Sequence, residues 1–142
     1  MRALLDVNFL IALFLPSHVF NEIAVKWFAD NQQFGWSSCA ITENGAVRIL
    51  SQPALGSDLN CAGAIAKLAD AINKTDHAFW PDTVSLTDEE FFDQRFILSP
   101  KQITDTYLLG LAAYHQGRLV TFDSGIVIPS VRKATSGNLV VL

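Results

Sequence analysis

The sequence predicts an α/β fold in which a central parallel sheet of about five strands is covered by helices on both faces. Short, continuously apolar runs alternate along the chain with segments of helical length. Strands buried on both faces form unbroken apolar runs, whereas half-exposed strands alternate apolar and polar residues. Because helical segments separate the apolar runs, we expect parallel strands and three α/β/α layers. The length of 142 residues favours one domain over residues 1–142.

The first half of the chain is predicted to hold two strands and four helices. The run Ala3–Leu5 ends at Asp6 and passes into an apolar helix that ends before Pro16, and a second helix shows apolar residues at helical spacing. A strand and two more helices follow. The elements that follow the first strand and helix are, in order, an amphipathic helix at 20–28, a strand at 35–38 and helices at 41–50 and 57–73.

The second half is predicted to hold three strands and two helices. The segment TDTYLLGLAAYH is apolar around most of its circumference, as expected for a helix packed against a sheet. Thr87 and Glu90 have the spacing of a capping box, which predicts the start of a short helix. In order, these elements are a strand at 77–86, a short helix from 87, a helix at 104–115 and strands at 119–122 and 139–142.

Four acidic residues are expected to meet at the carboxyl ends of these strands. The helix after Asp105 and the returning strand before Asp123 both span roughly 16 Å to 18 Å, so their acidic ends lie at one edge of the sheet. Asp6 ends the first strand, and Glu43 lies in the first turn of the helix after the second strand. Open α/β sheets bind ligands at this edge.

Each of these acids also has a structural explanation when it is considered alone. Asp6 is a possible helix N-cap, Glu43 and Asp105 suit the positive end of a helix dipole, and Asp123 suits a turn before Gly125. Together, however, four carboxylates repel one another, and no lysine or arginine is adjacent to any of them in sequence. A divalent cation is the simplest counter-charge.

Oxygen ligands without histidine or cysteine favour Mg²⁺ or Mn²⁺ over zinc. Ions of this type bind phosphate oxygens and activate water, so the pattern predicts phosphodiester hydrolysis. The formal charge of −4 and pI of about 5.2 argue against nucleic-acid binding through overall positive charge. An ion in the acidic cluster would supply the positive field locally.

The order and spacing of four segments resemble a PIN domain ribonuclease, and specifically the VapC toxins of type II toxin–antitoxin systems. The segments are LLDVNFLIAL, ITENGAVRIL, FWPD and ITDTYLLGLAAYHQGRLVTFDSG. The resemblance implies that Asp6, Glu43, Asp105 and Asp123 are catalytic metal ligands, with Asn8 and Thr121 supporting them. For Asn8 and Thr121, a structural role at a strand end is an equal alternative. Many PIN nucleases carry a further acid shortly after the position of Asp123, and its absence here leaves one or two ions open.

The resemblance also implies a toxin that cleaves tRNA or ribosomal RNA, a cognate antitoxin and a homodimer. Within such proteins the antitoxin commonly occupies a groove near the metal site, which residues 20–28 and 59–72 would line here. Core packing is the alternative role for most of these residues. The alternatives are a free-standing PIN ribonuclease, a catalytically silent PIN binding module and a DNA nuclease. An acid lost from the set of four would be the mark of a silent module, and all four are present.

Several other classes lack their sequence signals. Cys39 and Cys61 form neither a disulfide framework nor a zinc motif. No glycine-rich nucleotide loop and no nucleophile elbow occurs. The apolar run 9–15 is too short for a membrane span and is preceded by Asp6, so neither a signal peptide nor a membrane anchor is expected. We therefore expect a cytoplasmic protein.

Overall fold

The computed structural model describes residues 1–142 and contains a five-stranded sheet in the order β3-β2-β1-β4-β5. Every neighbouring pair of strands is parallel. The predicted α/β class with five parallel strands is therefore confirmed. In chain order the strands are β1 (Ala3–Leu5), β2 (Trp36–Ser38), β3 (His77–Phe79), β4 (Arg118–Thr121) and β5 (Leu139–Val141). The helices are α1 (Val7–Phe14), α2 (Asn21–Asn31), α3 (Ala40–Leu50), α4 (Cys61–Lys74) and α5 (Ile103–Tyr114).

The central strand β1 divides the core into two apolar layers. Ala3 and Leu5 belong to a cluster formed with α1 to α4, whereas Leu4 belongs to a cluster formed with α5. Successive residues of a strand point to opposite faces. All three of these side chains are buried, so both faces of β1 are covered. Helices therefore cover both faces of the sheet, as the unbroken apolar run predicts.

The parallel register brings the ends of β1 and β4 together. Leu5 pairs with Val120, and the amide of Asp6 continues the ladder by donating to the carbonyl of Val120 at 3.2 Å. Asp6 therefore lies beside Thr121, the last residue of β4. Helix α3 packs closely on α1, since a Cβ on Gly45 would lie 2.6 Å from Val7 Cγ2. This close approach keeps the first turns of both helices at the same edge of the sheet.

Two predicted elements are shorter than the sequence pattern indicates. The helix predicted at 57–73 begins only at Cys61, where the side chain of Asn60 accepts a hydrogen bond from the amide of Gly63. Before it, Gly56 adopts a left-handed conformation with φ of 76° and ends a short 3₁₀ turn at Pro53–Leu55. The strand predicted at 77–86 ends at Phe79, and Pro81 then has no amide to donate to a neighbouring strand.

The short helix predicted from Thr87 was wrong. The hydroxyl of Thr87 lies 2.8 Å from that of Ser85, and Asp88 Oδ1 accepts from the amide of Glu90 at 3.0 Å, so turn contacts replace the capping box. Phe92 next to this turn is fully buried and forms an isolated antiparallel bridge with Val131. Burial of this aromatic side chain therefore draws the chain into the core instead of into a helix.

Helix α2 is less buried than its apolar spacing predicts. Its only buried residue is Ala24, while Ile23 is 47% exposed and the preceding Phe20 is 40% exposed. The Phe20 ring stacks on Phe122 with centroids 4.7 Å apart. An apolar surface therefore remains open along α2. None of the helices has the length and apolarity required to cross a bilayer.

Candidate active site

Asp6 is the most deeply buried acid of the predicted site, with 4% of its surface exposed. It is the N-cap of α1, and its Oδ1 accepts a hydrogen bond from the amide of Phe9 at 2.6 Å. Its Oδ2 accepts a hydrogen bond from the hydroxyl of Thr121. Burial raises the pKa of Asp6 above its ordinary value, while these two hydrogen bonds lower it and the charge of Asp123 raises it further. The capping role and the predicted ligand role therefore fall on the same carboxylate.

Asp105 and Asp123 form the second part of the acidic site. Asp105 lies in the first turn of α5, and Asp123 follows the end of β4. Burial raises the pKa of Asp105 to about 6, with further contributions from the charges of Asp123 and Asp6 and from a hydrogen bond to Asp123 that favours the neutral form. Three acids from distant parts of the chain therefore influence one another electrostatically.

Thr121 connects two of these acids. Its Oγ1 donates to Asp6 and accepts from the backbone amide of Asp123 at 3.0 Å. Asp123 Oδ1 in turn accepts from the amide of Gly125 at 2.7 Å, which fixes the turn after β4. One hydroxyl thus holds the side chain of Asp6 and the backbone of Asp123 in register.

Glu43 takes a different position from the other three acids. It lies in the first turn of α3, and its Oε1 accepts a hydrogen bond from Ser38 Oγ at 2.6 Å. Ser38 Oγ also lies 2.8 Å from His77 Nε2. The charge of Glu43 acts on the pKa of His77, which burial lowers overall, but it is not among the charges that shift the pKa of Asp6 or Asp105. The structure therefore groups Asp6, Asp105 and Asp123, and turns Glu43 towards Ser38.

Two cavities border the acidic site. One of about 140 Å³ is lined by Asp105 and Asp123 together with Lys101 and Gln102. The other is lined by Asp123 together with the exposed side chains of Asn8 and Phe20. The Asn8 side chain makes no hydrogen bond to any of the four acids, although its backbone amide lowers the pKa of Asp6. Asp105 and Asp123 therefore border open space, whereas Asp6 and Glu43 line neither cavity.

No lysine, arginine or histidine forms an ion pair with any of the four predicted acids. At the same time, no three histidine, cysteine, aspartate or glutamate side chains are arranged so that they could jointly hold a metal ion. Carboxylates without a counter-ion repel one another. Glu43 and Asp6 instead accept hydrogen bonds from donor groups of the protein. Each carboxylate oxygen has two lone pairs, so these bonds leave acceptor capacity. The donor chemistry of the four carboxylates thus fits a hard divalent ion.

Comparison with known proteins identifies the family of this fold and site. The profile of the PIN domain matches residues 3–130. The chain belongs to the PIN domain family. Ribonuclease VapC44 of Mycobacterium tuberculosis is 49% identical over 142 residues, which is the full length of both chains. Ribonuclease VapC39 of the same organism is 42% identical over 127 residues, 89% of this PIN domain protein and 91% of the relative. Ribonuclease VapC38 is 41% identical over 125 residues, covering 87% and 86% respectively.

The predicted resemblance to VapC proteins of the PIN domain family is therefore confirmed. The sequence did not identify Ser38, His77 or Lys101 as neighbours of the acids in this PIN domain. Ser38 carried a weak signal, because a hydroxyl at the end of β2 lies near the first turn of α3. His77 carried none, since its approach to Ser38 depends on the pairing of β2 with β3. Lys101 is brought to the cavity by a short 3₁₀ turn, Pro100–Gln102, before α5.

Proposed function

We propose that this PIN domain protein is an endoribonuclease that hydrolyses RNA phosphodiester bonds and acts as the toxin of a toxin–antitoxin pair. We further propose tRNA or ribosomal RNA as the substrate and Mg²⁺ or Mn²⁺ as the cofactor. The observation that carries the proposal is the group of mutually interacting acids Asp6, Asp105 and Asp123 at the carboxyl ends of parallel strands, without any ion-paired cation. The VapC ribonucleases that match the chain support it.

The proposed ligands are Asp6, Glu43, Asp105 and Asp123. A bound ion would supply positive charge to the scissile phosphate and lower the pKa of an attacking water. Asp6 has little freedom to move, because Phe9 and Thr121 hold both of its oxygens. A carboxylate held in this way keeps its orientation at the moment when charge develops on the phosphate, which limits reorganisation during the reaction.

Asp105 is the acid whose protonation state depends most on a counter-charge. With its pKa at about 6, it carries a proton for part of the time in mildly acidic solution. Burial is the main cause of this raised pKa, and the charges of Asp123 and Asp6 add to it when no cation offsets them. Binding of a cation would favour the ionised form and release that proton.

Three basic side chains, those of Arg95, Arg132 and Lys101, have different surroundings. Arg95 and Arg132 both pair with the buried carboxylate of Asp93, at 2.7 Å and 3.0 Å, which supports a structural role for them. Lys101 forms no ion pair and lines the cavity that contains Asp105. We therefore propose Lys101 as a contact for an RNA phosphate.

The proposed partners are a cognate antitoxin and a second copy of this chain. Apolar side chains are exposed on α2 and α4, including Ile23 at 47% and Ile65 at 56%. A cavity of about 210 Å³ lies at the ends of these helices, lined by Trp27 and Phe28 of α2 and by Lys74 of α4. The exposed apolar side chains support the predicted antitoxin groove, whereas this cavity borders Gly35 and Trp36 at the amino end of β2, the opposite edge of the sheet from the acids. Light scattering of the purified chain would test the homodimer.

The proposal is tested by cleavage of bulk tRNA and ribosomal RNA with Mn²⁺, followed by sequencing of the new RNA ends. Asp6→Asn and Asp123→Asn should each abolish cleavage and weaken Mn²⁺ binding, because each removes a charged oxygen ligand. The matched control is Asp30→Asn, which alters an exposed carboxylate paired only with Lys26. Wild-type cleavage by either site variant at saturating Mn²⁺, or unaltered cleavage in chelator, would contradict the proposal.

A further inference from the structure

A chain of hydrogen bonds crosses the sheet edge from His77 on β3 to Glu43 on α3. Its middle member is Ser38, which is fully buried at the end of β2. Ser38 Oγ lies 2.6 Å from Glu43 Oε1 and 2.8 Å from His77 Nε2. Both distances lie within the range of strong hydrogen bonds. A half-buried histidine is thereby linked to a predicted ligand that it does not touch.

The direction of the two bonds follows from the number of protons available. A serine hydroxyl donates one proton, and an ionised carboxylate can only accept. The charge-assisted bond to Glu43 is the shorter of the two, so Ser38 donates to Glu43. His77 must therefore carry its proton on Nε2 and donate it to Ser38 Oγ. A bond accepted by a hydroxyl polarises the bond that the hydroxyl donates, which strengthens the contact with Glu43.

The ring of His77 is held in place by its surroundings. It packs against Trp36 with centroids 4.4 Å apart, and the register of β2 with β3 pairs these two residues. The neighbouring Asp76 is held by Arg2 through an ion pair of 2.8 Å, and Arg2 also donates to the carbonyl of Trp36 at 3.0 Å. The start of the edge strand β3 is thereby fixed to β2, which orients Nε2 towards Ser38.

We infer that His77 is a positioning residue that acts through Ser38 to orient the Glu43 carboxylate for metal binding. The bond from Ser38 occupies Oε1, while Oε2 accepts no hydrogen bond from the protein and is left for an ion. This inference rests on the proposed function, because it requires Glu43 to be a ligand. Outer-shell partners of metal ligands contribute in this way by limiting the orientations that a ligand explores.

The test is the affinity for Mn²⁺, measured by titration calorimetry, of two variants that separate the hydrogen bond from the ring. His77→Phe keeps an aromatic ring against Trp36 and removes the donor. His77→Gln removes the ring and offers an amide N–H at the position of Nε2. Direct outer-shell partners are worth roughly 10- to 100-fold in metal affinity, and His77 acts one bond further away. We therefore expect His77→Phe to bind Mn²⁺ about three- to tenfold more weakly, and His77→Gln to retain most of the affinity.

Ser38→Ala provides a second, independent measurement. It should weaken Mn²⁺ binding by about tenfold or more, and adding His77→Phe to it should cause no further loss, because the path to Glu43 is already broken. Additive losses, or a His77→Phe variant that binds as well as the wild type while His77→Gln is impaired, would overturn the inference. If His77→Phe does not fold, His77→Leu, which also lacks the donor, takes its place in the comparison with His77→Gln and Ser38→Ala.

Glu43→Gln distinguishes failure of this inference from failure of the proposed site. If Glu43→Gln weakens Mn²⁺ binding but the His77 and Ser38 variants do not, the positioning role is overturned and the proposed ligand set stands. If Glu43→Gln leaves Mn²⁺ affinity unchanged, Glu43 is not a ligand, and the ligand assignment and the positioning role both fall.

Discussion

Replacing Asp105 by asparagine should stabilise the metal-free protein and destabilise the metal-bound one. Burial and the charges of Asp123 and Asp6 raise the pKa of Asp105 from 3.8 to about 6. An ionised Asp105 therefore carries an energetic cost in the folded state that asparagine lacks. This rise in the pKa corresponds to a free-energy cost of about 3 kcal/mol as an upper bound. Asp105 is half-buried, so solvent screening reduces this to about 1.5 kcal/mol.

The pH range of this effect follows from the direction of the shift. A raised folded-state pKa means that the folded protein binds more protons than the unfolded chain between about pH 4 and about pH 6. The stability associated with Asp105 is thus fully present below about pH 4 and is lost as the pH rises through about 6. The advantage of Asp105→Asn should therefore be absent near pH 4 and fully developed near pH 8.

The assay is thermal unfolding followed by circular dichroism, in chelator and in excess Mn²⁺. A gain of about 1.5 kcal/mol raises the melting temperature of a domain of this size by about 5 °C. In Mn²⁺ at about 100 times its Kd, the wild type gains about 2.7 kcal/mol from binding, so the order of the two proteins should reverse. Equal melting temperatures in chelator at pH 8, or a difference equally large at pH 4, would refute mutual repulsion among these acids.

Two further substitutions test the support of the site and its contact with RNA. Thr121→Val removes the hydroxyl that bonds Asp6 and should weaken Mn²⁺ binding about tenfold by calorimetry, whereas Thr121→Ser should restore most of it. Equal affinities of the two variants would contradict this role. Lys101→Met should weaken binding of fluorescein-labelled single-stranded RNA and reduce the salt slope of log affinity by about 0.7, measured in an Asp6→Asn background that does not cleave. Lys133→Met, at an exposed residue without an ion pair, is the charge-matched control, and an equal loss there would exclude a specific contact.

The predicted convergence of the acidic residues shows how much of this site follows from local sequence pattern. Asp105 and Asp123 were placed at one edge by the lengths of α5 and β4 alone, and the structure couples their charges. The structural explanations considered for single acids also hold, since Asp6 caps α1 and Asp123 accepts from Gly125. A short carboxylate can terminate a strand, cap a helix and face a ligand simultaneously, because these demands use different lone pairs.

The elements that differed from expectation depended on distant contacts. The capping-box spacing of Thr87 was overridden by burial of the nearby Phe92 against Val131. The apolar spacing of α2 indicated a buried face, yet Ile23 remains exposed because α2 lies at the margin of the layer formed by α1, α3 and α4. Helical periodicity reports which residues share a face, but not whether another element covers it.

The sequence alone determined the order of strands and helices, the parallel sheet between two helical layers, and the edge at which Asp6, Asp105 and Asp123 meet. These features follow from local hydrophobic periodicity and from the parallel pairing expected of strands that are separated by helices, both of which can be read along the chain. The tertiary structure decided that Glu43 accepts a hydrogen bond from Ser38, which also contacts His77. That choice depends on which strand lies beside β2 and on side-chain rotamers, which are set by non-local packing and hydrogen bonding.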